Sequence, residues 1–256
     1  MQLLVSVSSI GEVQAAVAGG ADIIDVKNPA EGSLGAPQPH LIREVRRLTP
    51  RHLPVSAAIG DVPDLPGTVA LAAAAAAACG ADFVKIGLMG PCTPRAAGEL
   101  LAAAVRAVAE VDRHVMVIAT GYADGEQVGA LPPRDLVQVA RAAAAHGCML
   151  DTARKGRGSL FDALSHEFVS DFVAESRRHG LLSALAGSLA LADLPNILGI
   201  GPDIVGFRSA ACQGDRIDGH VDSLLVQSLR DGLKPTEDLP YAPRRATPTD
   251  GAARSH

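Results

Sequence analysis

The sequence predicts a (β/α)8 TIM barrel, and three observations carry that expectation. Short β-branched runs alternate with longer helical stretches along the chain. About eight such units of roughly 30 residues each fill its 256 residues as one domain. The open, doubly wound sheet is the alternative, but the G-x-G-x-x-G turn usual after its first strand is missing: VSVSSIGEVQ has a single glycine.

Strands are expected at 2–7 (QLLVSV), 22–26 (DIIDV), 53–59 (LPVSAAI) and 82–86 (DFVKI). Four more follow at 115–119 (VMVIA), 148–151 (CMLD), 182–186 (LSALA) and 203–207 (DIVGF). Each is a short apolar run of the kind buried on both faces in a parallel sheet. Helices fall between them, for example at 93–111 and 165–179. The run VALAAAAAAACGA reads as a helix whose small side chains allow close packing on a sheet, since a bilayer span needs roughly 20 strongly apolar residues. An internal echo phases the units: GADIID, GADFVK and GPDIVG each place Gly, then Asp, then an apolar strand, and glycine suits a helix C-cap before a short turn. Residues 1–231 therefore read as a single barrel domain, and the proline- and charge-rich segment 232–256 as a mobile tail.

Composition narrows the function. The net charge of -5 and the absence of a basic cluster argue against nucleic acid as a partner. The N-terminus enters a strand directly, without the charged and apolar regions of a signal peptide, so a cytoplasmic protein that makes no membrane contact is expected. Cys79, Cys92, Cys148 and Cys212 are far apart and read as free thiols. The histidines are scattered, and His146 near Cys148 has no third ligand at suitable spacing, so neither a metal nor another cofactor is expected.

The lysines are the strongest functional signal. The chain has 19 arginines and only four lysines, Lys27, Lys85, Lys155 and Lys234. A sequence so biased toward guanidinium should keep lysine where an amine is required, because lysine can lose its proton and attack a carbonyl while arginine cannot. Lys234 falls in the tail, whereas the other three sit at or just beyond the C-terminal ends of the second, fourth and sixth strands, the catalytic end of such a barrel. Strand alternation puts Ile23, Asp25 and Lys27 on one face and Ile24 and Val26 on the other. The same parity aims Lys85 and Asp151 inward, with Lys155 four residues on in DTARKGRGS. Clustered cations lower each other's pKa, which favours a neutral amine for imine formation; the rival reading is a set of structural ion pairs.

The seventh and eighth strands end in ALAGSLA and VGFRSAAC. In phosphate-binding barrels the anion lies beyond these two strands, held by backbone N–H groups. Gly187, Ser188, Arg208 and Ser209 are therefore the expected phosphate ligands. Tyr122 and Asp124 in TGYADG, after the fifth strand, are further candidates for the pocket wall.

With ADIIDVKNPAEGSLGAP, SAAIGDVPDLPGT, ADFVKIGL, TGYADG, MLDTARKGRGSLFD and DIVGFRSAAC placed at strand ends, the chain resembles the (5-formylfuran-3-yl)methyl phosphate synthase family over residues 2 to 230. The resemblance implies a barrel of the phosphate-binding type, acting in methanofuran biosynthesis. It implies condensation of two molecules of glyceraldehyde 3-phosphate to the furan aldehyde phosphate, with release of phosphate and water. It further implies Lys27 as the Schiff-base lysine and Lys85 as proton acceptor, with Asp25, Asp151 and Lys155 as the supporting acid–base set. A homo-oligomer is expected. Two rivals differ in class. One is an orotidine-phosphate-decarboxylase-like enzyme, whose D-x-K-x-x-D motif would require an acid where Ala30 stands. The other is a non-catalytic sugar-phosphate-binding protein, which could use arginine as well as lysine.

Overall fold

A computed structural model describes residues 1–234; the tail expected from 232 onward lies, beyond its first three residues, outside the described residues. In chain order the strands and helices are β1 (Gln2–Val7), α1 (Val13–Ala18), β2 (Ile23–Val26), α2 (Pro39–Leu48), β3 (Val55–Asp61), α3 (Pro66–Ala78), β4 (Phe83–Gly87) and α4 (Pro94–Val111). They continue with β5 (Met116–Tyr122), α5 (Gly125–Val128), α6 (Leu136–Ala142), β6 (Gly147–Asp151), α7 (Leu160–Ala163), α8 (His166–Arg178) and β7 (Leu182–Leu185). The last are α9 (Leu194–Ile200), β8 (Ile204–Phe207), the two-residue strands β9 (Cys212–Gln213) and β10 (His220–Val221), and α10 (Ser223–Gly232). Strands β1 to β8 pair in parallel and in sequence order, and β1 closes on β8, so the expected barrel is the observed one.

Two apolar layers follow from the period-two alternation of each strand. Leu3, Val5, Val7, Ile24 and Val26 face outward into the large core beneath the helices. Leu4, Ile23, Phe83, Ile118, Met149 and Ile204 face inward and fill the barrel axis with an apolar plug. One inward position further along, the residues turn polar: Ser6, Asp25, Lys85, Thr120 and Asp151 are all buried. The parity read from DIIDVK is the one observed.

The Gly-x-Asp echo has a physical reason on both residues. Gly20, Gly80 and Gly201 all have positive φ, the left-handed turn that ends a helix before a strand. The aspartates two residues on cap the neighbouring strand: Asp22 accepts from the Leu3 N–H at 2.8 Å, Asp82 from Val55 at 2.7 Å and Asp203 from Ser183 at 2.9 Å. Each satisfies a backbone donor at the end of the barrel opposite the site.

Candidate active site

Lys27 follows the last residue of β2, and its backbone N–H donates to Val7 of β1 at 3.1 Å, which holds it in the barrel wall. Its side chain is 7% exposed, and its amine has no hydrogen-bond partner among the described residues. Burial pushes the amine down from the usual 10.5 to about 7; the Lys85 and Lys155 charges add to that, while Asp151 and Asp25 oppose it.

Two ion pairs flank this amine. Lys85 on β4 donates to Asp25 Oδ2 at 2.8 Å, both side chains buried, and Ser6 Oγ donates to the same oxygen at 2.9 Å. Asp25 Oδ1 has no partner among the described residues. Asp25 thus lies beneath the cavity behind Lys85. On the other side Lys155 Nζ donates to Asp151 Oδ1 at 2.5 Å and to Thr152 Oγ1 at 3.1 Å. Burial raises the Asp151 pKa, but Lys155, Lys27 and the Thr152 N–H outweigh it and hold the carboxyl at about 2. It is ionised at every working pH.

Lys27, Lys85, Asp151 and Lys155 border one cleft together with Gly187, Ser188, Arg208 and Ser209. Gly187 has φ of 105° and Ser188 of 51°, a turn after β7. A Cβ on Gly187 would meet Thr152 Cγ2 at 3.0 Å and its N at 3.1 Å, so glycine is needed both for the backbone and for the space. The N–H groups of Gly187, Ser188 and Leu189 have no hydrogen-bond partner among the described residues. Arg208 also borders the cleft, but its guanidinium is spent: it donates to Glu12 at 2.8 and 2.9 Å, Ser6 O at 3.1 Å, Ser8 Oγ at 3.1 Å, Gly219 O at 3.0 Å and Arg216 O at 3.1 Å.

Tyr122 and Asp124 do not border the cleft. Tyr122 is fully buried with its phenol on Asp61, and burial pushes that phenol well above its usual range. Asp61 also accepts from the Ser33 and Leu34 N–H groups, so it shapes the loop after β2. Asp124 accepts from Ala153 and Arg154 N–H and steadies the loop that bears Lys155. Sequence reasoning missed Glu12, which binds Arg208, and Arg216, which borders the cleft from the loop between β9 and β10. The only hint of the second was the paired glycines of QGDRIDG.

The model of the family described as 4-HFC-P synthase matches residues 3–230. This chain belongs to that family. Among similar proteins, the (5-formylfuran-3-yl)methyl phosphate synthase of Methanocaldococcus jannaschii is 49% identical over 235 residues, covering 91% of this chain and 100% of that protein. The protein of the same name from Methanopyrus kandleri is 48% identical over 233 residues, covering 91% and 98%. Among solved structures, 3-hexulose-6-phosphate synthase from Salmonella typhimurium gives a TM-score of 0.64 at 16% identity, covering 91% of this chain and 98% of that one. KGPDC from Streptococcus mutans gives 0.61 at 17%, covering 91% and 96%. These two share the barrel fold with this chain. No helix among the described residues is long and apolar enough to cross a membrane.

Proposed function

We propose that this 4-HFC-P synthase family member condenses two molecules of glyceraldehyde 3-phosphate to (5-formylfuran-3-yl)methyl phosphate, with loss of phosphate and water, through an imine on Lys27. The observation that carries the reading is the Lys27 amine: buried, unpaired among the described residues, lowered to about 7, and set between two lysine–aspartate pairs. Near neutral pH about half of such an amine is unprotonated and can attack a triose carbonyl. The carbinolamine loses water, and the resulting iminium draws electrons from the adjacent carbon, so that a neighbouring C–H becomes acidic enough for a side chain to remove its proton. Lys85 takes up that proton once its own has passed along the 2.8 Å hydrogen bond to Asp25 Oδ2. Lys155 donates to departing oxygens and regains its proton from solvent, its ammonium form favoured by the ionised Asp151 it contacts. The unpartnered N–H groups at 187–189 hold a substrate phosphate, with Ser209 beside them. Enzymatically the step that releases phosphate makes the protein a carbon–oxygen lyase.

The test is borohydride reduction in the presence of glyceraldehyde 3-phosphate, followed by peptide mapping and a parallel assay of furan absorbance. A triose-phosphate adduct on Lys27 is expected, and Lys27→Arg should abolish adduct and furan together. Furan formation with no trapped lysine would overturn the imine; an adduct without furan would overturn the product.

A further inference from the structure

We infer that Arg216 is the ligand of a second phosphate, separate from the one held at the turn after β7. The inference rests on the proposed reaction, which brings two phosphorylated trioses into one cleft. Five cations border that cleft. Three are already committed to carboxylates: Lys85 to Asp25, Lys155 to Asp151 and Arg208 to Glu12. Lys27 must be neutral to react. Arg216 is left, and among the described residues it has no carboxylate within ion-pair distance.

Its present contacts are ones that an anion can replace. Arg216 donates one N–H from each amino nitrogen, to Pro29 O at 3.2 Å and Gly32 O at 3.1 Å, both long bonds to neutral carbonyls. The remaining N–H groups of the fork have no partner among the described residues. A planar guanidinium with donors to spare matches two oxygens of a phosphate, and such a charge-assisted pair is about twice as strong as a neutral bond.

The surrounding structure places this arm firmly. Arg208 donates through Nε to the Arg216 carbonyl and through an amino nitrogen to the Gly219 carbonyl. Glu12, which holds Arg208 in turn, also accepts from the Val221 N–H at 3.1 Å. The buried Arg208–Glu12 pair therefore clamps the middle and the C-terminal end of the β9–β10 loop to the barrel. Arg208, expected from sequence to bind phosphate, instead positions the arginine that does. The carbonyls that Arg216 holds lie in the loop that begins at Lys27, so a phosphate bound there sits above the reacting amine.

Two measurements on the full chain test the assignment. In a calorimetric titration with inorganic phosphate, the unaltered protein should bind two equivalents and Arg216→Gln one, a readout independent of whether Lys27 forms an imine. In turnover, Arg216→Gln should raise KM for glyceraldehyde 3-phosphate roughly 10- to 100-fold with partial recovery in Arg216→Lys. Borohydride trapping of the first triose on Lys27 should stay within about twofold. Two equivalents still bound by Arg216→Gln, or one bound by the unaltered chain, would overturn the second site. Parallel loss of trapping and turnover would show that Arg216 only holds the loop. Absence of any adduct in the unaltered protein counts against the imine alone, and the phosphate stoichiometry then decides the role of Arg216.

Discussion

Replacing Lys27 by Met should make the protein more tolerant of low pH, by an amount set by the burial of one amine. In the unfolded chain that amine keeps its proton up to the usual 10.5; in the folded chain it loses it at about 7. Between those values the unfolded state binds more protons, so this group's contribution to stability rises with pH across that window and is flat below it. The full difference is roughly 5 kcal/mol, since each pKa unit corresponds to about 1.4 kcal/mol. Between about pH 6 and pH 9 the unaltered protein should gain roughly 2–3 kcal/mol relative to Lys27→Met, because only part of the window is crossed. Urea unfolding of both proteins at the two pH values reads this difference directly, and effects common to both chains cancel. Asp151, held at about 2, stays ionised across the range and adds no slope of its own. Equal differences in unfolding free energy at both pH values would mean that Lys27 has an ordinary pKa. The neutral amine on which the proposed imine depends would then be absent.

The two buried ion pairs give further expectations. Lys85→Met leaves the fully buried Asp25 without its 2.8 Å partner and should cost about 3–5 kcal/mol in chemical unfolding. The double change with Asp25→Leu should recover most of that, and simple additivity would refute the coupling. Arg208→Ala strands Glu12 in the same way and releases the β9–β10 loop, so it should lower thermal stability by a similar amount, about 3–5 kcal/mol. A variant with native stability and only a raised KM would return Arg208 to the role of phosphate ligand.

What the sequence made legible is what short-range physics decides. The alternation in DIIDVK required only that β-branched residues face the helices, and Ile24 and Val26 do so. The scarcity of lysine pointed to three positions that the barrel does bring to one cleft. Boundaries went astray where a residue served a neighbour and not its own segment. The fifth strand is expected at 115–119, but it runs from Met116 to Tyr122, through a glycine. Gly121 is not a turn: a Cβ there would meet Leu136 Cδ2 at 2.9 Å, so the glycine lets α6 approach the strand. The third strand begins at Val55 and not at 53, because Pro54 has no N–H to offer the ladder and Asp82 caps the next residue.

Arg208 shows why the rest was hidden. A guanidinium just past the eighth strand of a phosphate-binding barrel is free for a ligand only if no acid reaches it first. That acid is Glu12, 196 positions earlier in the chain, and it arrives only because β1 closes on β8. Barrel closure joins the two ends of the sequence, so contacts across that seam have no local pattern to betray them. The pairing also bears on the second arginine at the cleft. Glu12 pairs with Arg208, and the same pair holds the loop that carries Arg216, the arginine proposed above for the second phosphate.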